Sequence, residues 1–103
     1  MYSFVYITCP NSEEAEKIAE FLVKERLLAC ANIISDMKSI YEWKGKVEKT
    51  SEVILIGKTQ SKLIPEVEKK VAELHSYDCP CIVSWKLDRG VDSFLQWINR
   101  QIR

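Results

Sequence analysis

The chain has 103 residues, and its fifteen Lys and Arg balance fifteen Asp and Glu to a formal net charge of zero. That balance lacks the basic excess that supplies most nucleic-acid affinity and draws proteins to anionic membrane surfaces, so neither partner is expected. The length suits one domain spanning 1–103, with a modest core that gains from assembly with other chains.

The first apolar run is Tyr2 to Cys9, with Phe4 and Tyr6 alternating against Val5 and Ile7. Apolar residues on both faces suit a central strand. Pro10 stops it. Asn11 is a good N-cap, with Glu14 placed as its capping-box partner. Ala15, Ile18, Ala19, Leu22 and Leu27 then recur at helical spacing among charged residues, which predicts an amphipathic helix. Leu28 to Ile34 follows, where Ile33-Ile34 and the later Ile40-Tyr41 favour a strand. Ser35-Asp36 marks a bend or bulge within it.

Ser39 to Lys58 predicts one long β-hairpin. Ile40, Tyr41 and Trp43 enter the turn, Lys44-Gly45 reverse the chain, and Val47 and Val53 to Ile56 leave it. Gly45 supplies the positive φ a tight hairpin needs. Glu48 to Glu52 reads as a solvated waist. Such an arm wants a partner, because an uncovered edge strand invites pairing.

Ser61 is a plausible N-cap for a second helix with Pro65 in its first turn and Ile64, Val67, Val71 and Leu74 as its buried stripe. His75 to Asp78 is a loop. Cys81, Val83, Trp85 and Leu87 alternate with Ile82, Ser84 and Lys86 as a half-buried strand begun near Pro80. Asp92 then caps a last helix carrying Phe94, Leu95, Ile98 and Ile102 on one face. The order β-α-β-β-α-β plus a C-terminal helix is an α+β, ferredoxin-like plan with an antiparallel sheet. Its helices cover one sheet face and leave the other needing cover, which argues for an oligomer.

Met1-Tyr2-Ser3-Phe4 lacks the basic and apolar regions of a signal peptide, and no run approaches the ~20 apolar residues of a membrane span. The expected compartment is the cytoplasm, and the four cysteines are expected to be thiols. His75, Cys79 and Cys81 form H-x3-C-x-C, and Cys9 could approach from the first strand. Imidazole and thiolates suit Zn²⁺, or Cu(I) if copper is present. The competing reading makes these cysteines small buried apolar residues, as reduced cysteines often are. Cys30, among alanines, reads as core. With one histidine, no G-x-S-x-G, no C-x-x-C and no glycine-rich loop, the chain reads as a non-enzyme. A Cys9–His75 dyad would need proximity in space.

Several stretches together resemble the CutA family of divalent-cation tolerance proteins. They are Thr8-Cys9-Pro10, Glu25 to Asn32, Ser39 to Lys46, Lys58-Thr59 and Leu74-His75-Ser76-Tyr77. The resemblance covers essentially the whole chain. It implies a ferredoxin-like subunit in an interlocked cytoplasmic homotrimer, with binding of copper or another divalent metal and a role in metal tolerance. It also implies a cleft between subunits lined by Tyr41, Trp43, Lys58, His75 and Tyr77, where Lys58 would offer charge to a small anion or metabolite. Tyr41 and Trp43 serve equally as interface anchors. The chain departs from the family where His-Pro-Tyr-Glu-x-Pro-Glu becomes His75-Ser76-Tyr77-Asp78-Cys79-Pro80-Cys81. Two copper-ligand positions of the family fall on Ile7 and Leu74, and only His75 is kept. The favoured reading is therefore a trimeric metal-binding protein that requires no cofactor. The alternative is a small-molecule sensor like the trimeric PII signalling proteins, which share the plan.

Overall fold

In the computed structural model, which describes residues 1–103, the elements run β1 (Tyr2–Cys9), α1 (Ser12–Lys24), β2 (Cys30–Trp43), β3 (Lys46–Gln60), α2 (Ile64–Leu74), β4 (Ile82–Lys86) and α3 (Asp92–Gln101). The strands form one antiparallel sheet in the order β2-β3-β1-β4. This is the expected α+β, ferredoxin-like arrangement with a long hairpin and an added C-terminal helix. β1 is central because its apolar residues serve both faces.

The core lies on one face. α1 and α2 set Ala15, Ile18, Leu22, Val67 and Val71 against Val5, Ile7, Val53 and Leu55. Each Val, Leu or Ile among them contributes about 1.5–3 kcal/mol when fully buried. Gly57 lies where Leu28 crosses the sheet, and a Cβ there would sit 2.6 Å from Leu28 Cδ1. α3 closes one end with a smaller cluster of Ile98 and Ile102 on Ala29. The Arg103 N–H donates to the Arg26 carbonyl at 3.0 Å and ties the end of the chain to the turn after α1.

The other face is open. Phe4 pairs across the sheet with Lys58 and Trp85, and Tyr6 with Ile56 and Val83, so all of these share that face. Val83 and Trp85 remain about half exposed, at 51% and 46%. The last strand is thus shorter than expected. It starts at Ile82, which packs on the core, and Cys81 lies just before it.

Two backbone features shape the hairpin. Lys44 and Gly45 both take positive φ, 51° and 81°, the conformation of a tight two-residue hairpin turn. Between Ile34 and Met37 the register slips, with β2 spending one residue more than β3, and Asp36 there sits at φ 63°. An extra residue reverses which side chains face which way. Met37, Ser39, Tyr41 and Trp43 consequently share the open face with Glu52, Ile54 and Ile56.

Local chemistry departs from expectation at several ends. Asn11 Oδ1 does accept the Glu14 N–H at 2.8 Å, but the Glu14 carboxylate turns away to accept the Ser76 N–H at 3.0 Å. α1 ends at Lys24, so Leu27 is buried beyond it. Ser61 opens a 3-10 turn, Ser61–Leu63, and shares a hydrogen bond with Ser3 Oγ at 2.6 Å rather than capping α2. Leu74 is exposed, because α2 ends there and its last turn leaves the core. Asp92 is the first residue of α3, not its cap, and there its charge suits the helix dipole. Cys30 is half-buried on the open face beside Lys58, because the register pairs those two residues.

The bulge generates a prediction. A left-handed backbone costs an ordinary residue about 1–2 kcal/mol and glycine little. Asp36→Gly should match or exceed the wild type in urea denaturation, and Asp36→Val should lose at least about 1 kcal/mol. Equal stability of the two variants would show that the left-handed conformation is not required.

Candidate functional site

His75 is the first residue after α2, and its side chain is wholly buried. Its Nε2 lies 2.7 Å from the Thr8 carbonyl oxygen, an acceptor, so Nε2 carries a proton and donates it. Its Nδ1 accepts the Tyr77 N–H at 3.1 Å. Both ring nitrogens are therefore used. The Glu14 carboxylate, 3.3 Å from Nδ1, is held by the Ser76 N–H. The ring also packs on Tyr77, with centroids 4.8 Å apart. Together these contacts pin the loop from His75 to Cys81 against β1.

The pinned loop and the hairpin enclose a cleft of about 520 Å³ on the open face. Tyr41 and Trp43 of β2 form one side, and Tyr77, Asp78, Cys79 and Cys81 of the loop form the other. Glu52 of β3 and Thr8 of β1 complete the lining. Glu52 is fixed by two hydroxyl donors: Ser39 Oγ at 2.6 Å and Tyr77 Oη at 2.8 Å.

The surroundings favour the protonated forms of one phenol and two thiols. Burial, the hydrogen bond to Glu52 and the nearby negative charge push the Tyr77 hydroxyl up to about 12. Burial first, then the charges of Glu14 and Glu52, push the Cys9 thiol up to about 11. Cys81 is also raised, by partial burial and Glu52, against the opposing pull of a hydrogen bond with Thr8.

Residues 3–101 match the CutA1 divalent ion tolerance protein family. The chain belongs to that family. It is 43% identical to the divalent-cation tolerance protein CutA of Archaeoglobus fulgidus over 99% of both chains. It is 41% identical to human protein CutA over 95% of its own length but 55% of the human protein's. The chain therefore spans about half the length of the human and mouse relatives it matches. Among solved structures, the periplasmic divalent cation tolerance protein CutA of A. fulgidus superposes with a TM-score of 0.97, covering 100% of each chain. The Cut A1 protein of Thermus thermophilus gives 0.96 at 38% identity, again over 100% of each chain.

Within this CutA1 fold the metal-ligand candidates are divided. Cys79 and Cys81 are exposed and share the cleft, so for them the buried-core reading fails. Cys9 sits on the opposite, helix-covered face of the sheet and is fully buried. His75 has no free ring nitrogen. No three His, Cys, Asp or Glu side chains gather closely enough to hold a metal ion. A preformed site of His75, Cys9, Cys79 and Cys81 therefore does not fit this subunit. The same contacts leave no Cys9–His75 dyad.

The expected cleft set is partly assembled. Tyr41, Trp43 and Tyr77 meet, but Lys58 lies further along β3, bonded to Asn32 Oδ1 and over the Phe4 ring at 5.5 Å. Glu52 is the residue that sequence reading misplaces, as part of a solvated waist. Its period-two spacing with Ile54 and Ile56 is the signal that points to the open face.

The Cys9 environment yields a pH prediction. The folded chain holds that proton to about pH 11, whereas the unfolded chain releases it near the ordinary value of 9.0. Between these values the folded state binds more protons, so stability falls as pH rises. Urea unfolding across that window should show a falling free energy, and Cys9→Ala should flatten part of the slope. Identical slopes would mean the folded chain does not hold the thiol protonated.

Proposed function

We propose that this CutA1-family chain works as a cytoplasmic homotrimer that serves divalent cation tolerance by binding a divalent cation, copper foremost. The observation that carries this reading is that two exposed thiols, Cys79 and Cys81, and the Glu52 and Asp78 carboxylates line one cleft. Thiolate ligands favour copper and zinc, and copper binds most divalent sites more tightly than zinc. One subunit groups no complete ligand set, so a neighbouring subunit or water completes the coordination. The cation is cargo here, and the fold requires no cofactor. No enzymatic step is part of this reading.

The trimer is supported by the open face and the arm. On the open face Ile34, Trp43 and Val83 are about half exposed or more, and Ile40 and Val47 are exposed on the other side of the arm, more apolar exposure than a lone subunit of this size usually shows. The subunit is elongated, 46 × 25 × 22 Å, as a projecting hairpin requires. Strand addition to a neighbouring sheet would cover both. Two-fold symmetry is commonest, and the family resemblance is what selects three. The neutral net charge supports neither a nucleic-acid nor a membrane partner.

Light scattering should give about three times the subunit mass at micromolar concentration. Copper and zinc titrations should show at least a roughly tenfold weaker affinity in a Cys79→Ser, Cys81→Ser double variant. A monomer on dilution would remove the trimer, and equal metal affinity would remove the cleft as the cation site.

A second reading, a small-molecule sensor, draws on the aromatic walls. The cleft contains no lysine or arginine, and Lys58 lies outside it, so an anionic metabolite is disfavoured.

A further inference from the structure

The aromatic walls and the charge of the cleft point to a class of ligand other than a metal ion. Tyr41, Trp43 and Tyr77 line it, and its only charged lining residues are Glu52 and Asp78. Neither carboxylate has a cationic partner, since the Lys70–Glu73 and Arg103–Glu25 pairs lie elsewhere. The Glu52 oxygens accept from the neutral hydroxyls of Ser39 and Tyr77, which fix the carboxylate without cancelling its charge.

An anion would be repelled here. A small inorganic cation holds its water tightly and gains little from aromatic faces. A quaternary ammonium group is weakly hydrated, spreads its charge over methyl groups, and is attracted both to carboxylates and to ring faces. The Trp43 ring already has the Lys44 ammonium 6.0 Å from its centroid, at the outer limit of such contacts. Lys44 does not line the cleft, so the cleft keeps its negative balance.

We propose that this cleft binds a quaternary ammonium group, with Tyr41, Trp43 and Tyr77 against its methyl groups and Glu52 and Asp78 supplying the counter-charge. The site shares Glu52 and Asp78 with the proposed metal site but does not use Cys79 or Cys81 as ligands, so a Cys79→Ser, Cys81→Ser variant separates the two readings. Tyr77 is the link between wall and charge, because it presents its ring to the cleft and holds Glu52 through its hydroxyl.

The test is calorimetric titration of the native, undissociated protein with tetramethylammonium chloride, with tert-butanol as the neutral probe of similar shape and potassium chloride as the hydrated-cation control. Tetramethylammonium should bind at least about tenfold more tightly than tert-butanol, or about 1.4 kcal/mol. Potassium at equal concentration should not displace it. Glu52→Gln removes the charge with little change of shape and should weaken tetramethylammonium about tenfold while leaving tert-butanol unchanged. Trp43→Leu, which leaves Glu52 intact, should also weaken tetramethylammonium. Absence of binding, equal binding of the neutral probe, displacement by potassium, or unchanged affinity in both variants would each overturn the proposal. The Cys79→Ser, Cys81→Ser variant, which keeps Glu52 and the aromatic residues, should bind tetramethylammonium as the native protein does, and copper titration of it reports on the metal reading alone.

Discussion

A buried imidazole holds the functional end of this subunit together. His75 donates through Nε2 to the Thr8 carbonyl and accepts through Nδ1 from the Tyr77 N–H. A buried polar group left unpaired costs about 1–3 kcal/mol, so any movement of the loop would expose two such losses at once. The ring therefore fixes Tyr77, and Tyr77 in turn fixes Glu52. A residue with the chemistry of a metal ligand is used instead as a structural peg, and the exposed chemistry passes to its neighbours Asp78, Cys79 and Cys81.

The opposite wall depends on the bulge. A strand alternates its faces without exception, so the side on which Tyr41 and Trp43 lie is decided by the number of residues between them and the core. Were Ser35 and Asp36 both paired in a regular ladder with no bulge, Ile40 and Glu42 would occupy their places. Asp36, in the left-handed conformation, makes that extra residue possible. The pegged loop and the phase-shifted hairpin meet over Glu52, and neither alone makes a cleft. The same phase leaves Trp43 exposed on the open face of the arm, which links the site to the surface proposed for assembly.

Much of this was legible in the residues. Strand alternation, the Asn11 cap, the Lys44-Gly45 turn and the Ser35-Asp36 irregularity are local signals, and each is found where the sequence places it. The starts of α2 and α3 differ from the sequence expectation because Ser61 and Asp92 have cap chemistry but find other roles, Ser61 with Ser3 and Asp92 inside the first turn. The site was harder, because it is built from contacts far apart in the chain. Cys9, His75 and the loop cysteines look like one ligand set in sequence, yet Cys9 faces the helices and Cys79 and Cys81 the open side. Lys58 and Glu52 share a face of one strand, but six residues of extended chain separate them by roughly 20 Å. Nothing local says which of the two the loop will reach.

The account stands most directly on how His75 is bonded. Long-range nitrogen–proton correlation of the labelled imidazole at neutral pH reads the proton position at each ring nitrogen. The structure predicts a protonated Nε2 and an unprotonated Nδ1 with the shift of a hydrogen-bond acceptor. A proton on Nδ1 would set it against the Tyr77 N–H and contradict the peg on which the cleft is built.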